Sequence, residues 1–370
     1  IGNIMQPLYC GSRTIAMSPT SFLQHPYRWL RAITKYQGQT SGAPNFAYDL
    51  CSDKITAEEK ATLDLSSWTI AYNGAEPIRS STLVRFAESF AECGFNANAL
   101  FPCYGLAEAT LFVSGGPKLT GAKIASFDAD LLKQNQAHPI SDARTNQHVL
   151  VGSGVVWGQT VRIVNPDTQY ECTPNEVGEI WIKGGNVAGG YWNRPQQTQE
   201  TFGAYIASSN EGPFLRTGDL GFLSEGALFV TGRIKDMIII RGRNYYPQDI
   251  EQTVERSHPA LRPGCGAVFS VEHDGDEKLV VAQELNRQNR TNYDAEAIFN
   301  AIRQAVIEEH QVAVFQIALI ATLGILKTSS GKIQRRGNKN ALLSGSLPVL
   351  ATWVQPIQEA TEDSHFVGQV

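Results

Sequence analysis

Gly232-Arg-Ile-Lys-Asp-Met-Ile-Ile-Ile-Arg-Gly-Arg-Asn-Tyr-Tyr-Pro-Gln-Asp-Ile-Glu251 is the stretch around which the chain is organised. Gly232 to Asp236 is polar and turn-like, Met237 to Ile240 is a short apolar run of strand type, and Gly242 to Pro247 is a second turn leading into a helix start. Glycine marks both turns, where the backbone needs freedom. Arg233, Lys235, Asp236, Arg241 and Arg243 crowd an otherwise apolar hairpin. That crowding needs a reason, and the pattern reads as a hinge.

Downstream of it the grammar is compact α+β. Gly266 to Val271 and Lys278 to Glu284 suggest a hairpin across His273-Asp-Gly-Asp276. Ala297, Ile298, Ala301, Ile302, Ala305 and Val306 form a helical stripe, and Val312 to Ile320 reads as a buried strand. Lys327-Thr-Ser-Ser-Gly-Lys-Ile-Gln-Arg-Arg336 is a small-residue loop with a basic end. Residues 346–370 are polar, hold two prolines and read as a linker or frayed tail.

Upstream, the strand-like run Trp68 to Asn73 ends at Gly74-Ala-Glu-Pro77. Leu83, Val84, Phe86, Ala87, Phe90 and Ala91 share a helix face, with Gly94 where a C-terminal cap belongs. Leu100 to Cys103 is apolar again and leads into Tyr104-Gly-Leu-Ala-Glu-Ala-Thr110, read as a strand-to-helix junction. Strand, helix, strand is the βαβ pattern, so this part reads as an α/β sheet domain. Thr40-Ser-Gly-Ala-Pro-Asn45 lacks a basic residue and reads as a turn before a strand, not a phosphate loop. Gly115 to Thr145 is polar and weakly patterned, long for a connection. From Val149 short strands alternate with turns: Thr160 to Val164, Gly178 to Lys183 and Gly226 to Thr231. The expected organisation is a large domain over 1–235 (α/β to 148, β-rich from 149), a smaller α+β domain over 236–345, and a tail.

With 370 residues there is room for about two domains. Hydrophobic content of 42% and charged content of 18% describe an ordinary globular protein. A net charge of -5 gives no reason to expect nucleic-acid binding, and no apolar run is long enough to span a membrane. Six scattered cysteines without a C-x-x-C pair fit reduced thiols in a cytoplasmic protein. The seven histidines form no H-E-x-x-H pair, which argues against a histidine metal site.

The residues that could carry chemistry are scattered. Six residues separate Gly324 from Gly331, where a Walker loop needs four, and Ile333 stands where Ser or Thr would hold Mg²⁺. Lys332 is therefore not a P-loop lysine; it is a solvated loop lysine or a mobile cation for an anion. Asp219, after the Arg216-Thr-Gly turn, is a turn residue or an acceptor for both hydroxyls of a ribose. Tyr104 could stack on a base, and Glu108 could hold Mg²⁺ or simply favour a helix N-terminus. Gly74, Ala75 and Glu76 form a plain turn or let a planar ring approach the backbone.

Together, Gly74-Ala-Glu-Pro, Tyr104-Gly-Leu-Ala-Glu-Ala-Thr, Gly178-Glu-Ile-Trp-Ile, Arg216-Thr-Gly-Asp, Gly232-Arg-Ile-Lys-Asp and Thr328-Ser-Ser-Gly-Lys-Ile resemble the acyl- and aminoacyl-adenylate-forming (ANL) enzymes. Ala43-Pro-Asn-Phe-Ala-Tyr-Asp49, Asn73-Gly-Ala-Glu-Pro and Arg241-Gly-Arg-Asn-Tyr-Tyr-Pro resemble the fatty acyl-AMP ligases within that superfamily. The Gly115 to Thr145 connection falls where that family carries an insertion. The resemblance implies an adenylating fold, ATP/AMP and Mg²⁺, a fatty acid substrate and an acyl carrier protein bearing phosphopantetheine.

By matching position, the resemblance places Gly74, Ala75, Glu76, Tyr104 and Gly105 at the adenine, and Asp219 and Arg233 at the ribose. Glu108 would hold the metal, Asp236 would be the hinge, and Lys332 would bridge the acyl carboxylate and the α-phosphate. Gly242 to Tyr246 would be a second face for the thiol step, and Phe46, Tyr48 and Asn73 would line the acyl pocket. The family's triphosphate loop has no counterpart, so the chain reads as the C-terminal part of such a ligase, whose activity alone is in question. Two other readings remain open: a long-chain acyl-CoA synthetase of the same fold, and a non-catalytic nucleotide- or carrier-binding fragment.

Overall fold

The computed structural model describes residues 1–141, 146–289, 292–328 and 331–356. Ser329 and Ser330 of the small-residue turn, the Thr145 end of the long connection and the tail beyond 356 lie outside them. The chain divides into two compact units, Ile1–Met237 and Ile238–Val370.

In the first unit, strands Thr40–Gly42, Ile70–Asn73 and Leu100–Tyr104 pair in parallel. Helix Ser80–Phe90 joins the second to the third, burying Leu83, Phe86 and Phe90. Gly94 turns the chain at φ 78°, a conformation open to glycine without a Cβ penalty. Beneath the sheet lies an aromatic core: Trp68 stacks on Tyr48 and meets Phe86 and Phe95 edge-on, the geometry that ring quadrupoles favour. Ser114–Gly115 and Val155–Val156 extend the sheet with antiparallel pairs. The second half of the unit is an antiparallel sheet of Thr160–Val164, Gly178–Lys183, Leu215–Ser224 and Ala227–Arg233. Val161, Ile163, Ile180, Ile182, Leu215 and Leu228 form its core.

Four local expectations are corrected. Thr40–Gly42 is itself a strand and runs almost directly into helix Asn45–Lys54; three small residues carry too little pattern to announce it. The segment after Tyr104 makes only a single 3-10 turn, Ala107–Ala109, because Thr110 and Leu111 take left-handed φ of 51° and 83° and turn the chain back. Within the long connection, Ile124–Asp128 pairs with Gln147–Val151. Val349–Val354 is a strand rather than a tail. It pairs with Val314–Ile320, and Ala351 and Trp353 pack on the core while Arg303 lies over the Trp353 ring.

The second unit begins with the hairpin Ile238–Ile240 and Arg243–Tyr245. Its two-residue turn holds Arg241 at φ 50° and Gly242 at φ 74°. Two left-handed residues in succession suit the twist of a tight hairpin, which is why glycine is needed at the second. Long strands Leu261–His273 and Asp276–Leu285 follow, with Val314–Ile320 parallel to the latter. Period-two alternation gives this sheet two apolar faces. Val268, Val281, Ile317 and Leu319 face helices Pro247–Ser257 and Ala295–His310. Ala267, Phe269, Val280, Ala318 and Ile320 join Ile325 and Leu347 on the other face.

Gly105 is fixed by a close approach. A Cβ built there would overlap the Leu111 carbonyl, the oxygen of the turned-back loop. Gly105→Ala is therefore expected to destabilise the first unit by about 1–3 kcal/mol or more, the cost of overpacking. A urea unfolding midpoint checks it; an unchanged midpoint would mean the loop relaxes freely.

Candidate functional site

Strand Leu215–Ser224 leaves its ladder with Gly178–Lys183 between Arg216 and Leu220. Gly218 sits there at φ 70°, and the local bulge re-aims Asp219, as bulges commonly do beside functional sites. On the other edge Asp219 is the register partner of Arg233. Arg233 Nε donates to Asp219 Oδ1 at 3.0 Å, and Tyr104 Oη donates to Asp219 Oδ2 at 2.8 Å. The carboxylate is almost fully buried, whereas the Arg233 side chain is 67% exposed. Burial pushes the Asp219 pKa up; Arg233 and the Tyr104 hydroxyl oppose it, and the Glu108 carboxylate adds to it. Burial and then Asp219 raise Tyr104 well above the ordinary phenol range. Residues 115 apart in sequence thus meet around one costly carboxylate.

Glu179 supports this turn and was not singled out as a site residue from sequence. Buried in its strand, it accepts the Gly218 amide at 3.0 Å, Trp181 Nε1 at 2.8 Å and Arg216 Nε at 2.9 Å. The Asp219 amide in turn donates to Thr217 Oγ1 at 3.1 Å. The available signal was an acidic residue inside the apolar strand Gly178-Glu-Ile-Trp-Ile. Glu179→Ala is expected to cost about 3–5 kcal/mol, the penalty of breaking a buried pair, read as a lowered denaturation midpoint. Glu179→Gln, which retains an acceptor, should lose less; equal losses would contradict the account.

Glu108 lies just inside the 3-10 turn, and Tyr191 Oη donates to its Oε1 at 2.8 Å. Burial, followed by this carboxylate, raises the Tyr191 pKa to about 12. The Ala188 amide donates to the Glu108 carbonyl, and Asn186 Nδ2 to the Ala109 carbonyl. These bonds seat the glycine-rich 184–193 segment, another feature not assigned from sequence, against Glu108.

Gly74 follows strand Ile70–Asn73 and lies over Cys103, whose carbonyl would lie 2.7 Å from an added Cβ. Ala75 follows at φ 78°, which costs an L-residue about 1–2 kcal/mol. Such an outlier is a reason to suspect function. Glu76, however, accepts the Asn45 amide at 2.9 Å and so serves the first turn of helix Asn45–Lys54. Of the residues expected at an acyl pocket, Tyr48 is buried in the aromatic core and donates to the Tyr72 carbonyl, and Asn73 is buried and donates to Asn45 Oδ1. Phe46 is 40% exposed.

The Asp236 amide donates to the Arg233 carbonyl at the end of the first unit. Lys332 belongs to the second unit, partly exposed in a hairpin that the Lys327–Ile333 bridge closes. Among the described residues no group of three or more His, Cys, Asp or Glu could hold a metal, and no helix is long and apolar enough to cross a membrane. All six cysteines are free.

The profile of the AMP-binding enzyme family matches residues 1–192, and that of the AMP domain of Disco-interacting protein 2-like proteins matches 235–352. The chain is 48% identical over 350 residues to the medium-chain fatty acid–acyl-carrier-protein ligase JamA of Moorena producens, covering 94% of this chain and 59% of that protein. Among solved structures it resembles a fatty acyl-adenylate ligase of L. pneumophila in complex with acyl adenylate and pyrophosphate, at 43% identity and TM-score 0.63, over 95% of this chain and 61% of that one. A structure from work on fatty acyl-adenylate ligases of E. coli and L. pneumophila gives TM-score 0.82 at 33% identity, over 93% and 60%. The chain spans about three fifths of the length of these relatives.

Proposed function

Because the chain belongs to the AMP-binding enzyme family, we propose that the protein containing it activates a fatty acid with ATP and passes the acyl group to the phosphopantetheine thiol of an acyl carrier protein. The observation that carries this reading is Asp219, a buried carboxylate re-aimed by a bulge and held by Tyr104 and Arg233. Both of its oxygens are presented beside an exposed guanidinium, the arrangement that suits paired ribose hydroxyls. The strained Ala75 backbone, with Gly74, Gly105 and Tyr104, offers a flat surface to adenine; Glu76 serves mainly to hold that turn.

A lone carboxylate fits Mg²⁺, which is commonly held by one or two carboxylates with substrate phosphates and water completing its shell. Glu108, whose carboxylate Tyr191 Oη steadies, would hold it. Bound there, Mg²⁺ would neutralise phosphate charge.

In the first half-reaction the fatty carboxylate oxygen forms a bond to the α-phosphorus, the bond to the bridging oxygen breaks, and pyrophosphate leaves with the electron pair. Two anions must approach, and charge grows on the phosphoryl oxygens. Lys332 supplies the positive charge that such a transition state needs. In the second half-reaction the pantetheine thiol attacks the acyl carbon, AMP departs, and the thiol proton is released. Lys332 has no task there, and a turn of the second unit about Asp236 would offer Gly242 to Tyr246 instead. This chemistry is compatible with a cytoplasmic enzyme.

Product analysis tests the reading. The protein expressed from the entire reading frame that encodes this chain is incubated with ATP, a medium-chain fatty acid, CoA and a holo carrier protein. Acyl-adenylate followed by acylated carrier is expected. Acyl-CoA as the main product would reassign the protein to the acyl-CoA synthetases.

A further inference from the structure

Lys332 is held at the end of a hairpin with an ordered base. The Gln334 amide donates to the Leu326 carbonyl at 3.0 Å, and the Thr328 amide to the Lys332 carbonyl at 2.8 Å. The Lys332 amide donates to Thr328 Oγ1 at 3.1 Å. Beneath that base lies Asn338, wholly buried in helix Arg335–Leu343. Its Oδ1 accepts the Leu326 amide at 2.8 Å. Its Nδ2 donates to the Leu326 carbonyl at 3.0 Å and the Gln334 carbonyl at 2.9 Å. One side-chain amide thus grips both feet of the hairpin.

A buried amide is an expensive way to fill space. An apolar residue would pack there, but would leave the Leu326 amide without the acceptor that Asn338 Oδ1 provides. Three simultaneous bonds from a planar group also fix direction, which apolar contact does not. Two further anchors hold the surroundings: Glu284 Oε1 accepts the Ile325 amide at 2.9 Å, and Arg335 forks onto Glu251 at 2.7 and 2.8 Å. Both anchors also bear on the wider core of the unit. Asn338 bears on the hairpin itself.

We infer that Asn338 is a positioning residue for Lys332, setting where its ammonium is delivered during adenylation. The inference rests on the role proposed for Lys332. It predicts a defect confined to one half-reaction. Asn338→Ala should lower kcat for fatty-acid-dependent ATP–pyrophosphate exchange roughly 10- to 100-fold, the scale of a misplaced catalytic group. KM for ATP and fatty acid should stay within about twofold. Transfer from supplied acyl-adenylate to the carrier protein should keep the parent rate.

The decisive arm is a double-mutant cycle in the protein from the whole reading frame. With Lys332 already alanine, Asn338→Ala should cause no further loss, because nothing remains to position. Multiplying losses, or an equal fall in both half-reactions, would overturn the inference and mark Asn338 as structural. If Lys332→Ala alone leaves exchange at the parent rate, the role of Lys332 fails first and this inference with it. If Lys332→Ala is damaging and Asn338→Ala is not, only this inference falls. Should Asn338→Ala not fold, Asn338→Ser is measured on the same axes.

Discussion

Lys332→Ala is expected to slow acyl-adenylate formation roughly 10²–10³-fold, the loss usual on removing one preorganised transition-state donor. The ammonium is partly exposed, and among the described residues nothing is paired with it. Truncation therefore leaves no buried charge behind and should leave unfolding unchanged, so a fall in rate reports chemistry. Fatty acid and ATP should bind nearly as before, since the interaction strengthens only as charge builds on the α-phosphoryl oxygens. Thiol transfer from supplied acyl-adenylate should be spared. A variant that exchanges pyrophosphate at the parent rate would remove Lys332 from the mechanism.

Asp219→Asn should separate stability from function. The carboxylate has a pKa raised mainly by burial. A carboxyl whose folded pKa is raised contributes stability when protonated, and that contribution is lost as pH rises through the folded value. Burial therefore disfavours the ionised form of this group in the folded protein. Asparagine removes the charge, still accepts from Tyr104, and leaves Arg233 exposed to water, where an unpaired guanidinium costs little. The melting temperature at pH 7 should hold or rise, and the difference from the parent should vanish below the carboxylate range. Nucleotide binding should weaken roughly 10- to 100-fold, because charge-assisted bonds to the ribose hydroxyls are worth about 1.5–3 kcal/mol. A lower melting temperature together with unchanged ATP affinity would contradict both halves of the argument.

Elements with strong periodicity or turn chemistry could be read directly. Thr160–Val164 and Gly178–Lys183 are strands over the residues expected of them, and Pro247 does open a helix. Thr40–Gly42 was hidden because three small residues carry no pattern, and Val349–Val354 because it sits in an otherwise polar, proline-bearing stretch. The turned-back segment after Tyr104 depends on left-handed Thr110 and Leu111, which neither residue type announces. At the site, ordered motifs pointed to Tyr104, Asp219 and Arg233, and these three meet. Glu179 and Tyr191 escaped notice because partners of theirs lie 37 to 83 residues away; Asn338 did because a helical asparagine does not announce which backbone it will bind. Tyr48 and Asn73, expected at an acyl pocket, are both buried.

The central claim is that a fatty carboxylate is activated on the nucleotide site around Asp219. Fatty-acid-dependent exchange of radiolabelled pyrophosphate into ATP, by the protein from the entire reading frame, tests it most directly. The account predicts exchange with a medium-chain fatty acid, none without a carboxylate, and loss of exchange in Asp219→Asn at limiting ATP. Exchange that is absent with every fatty acid, or supported equally by amino acids, would contradict it.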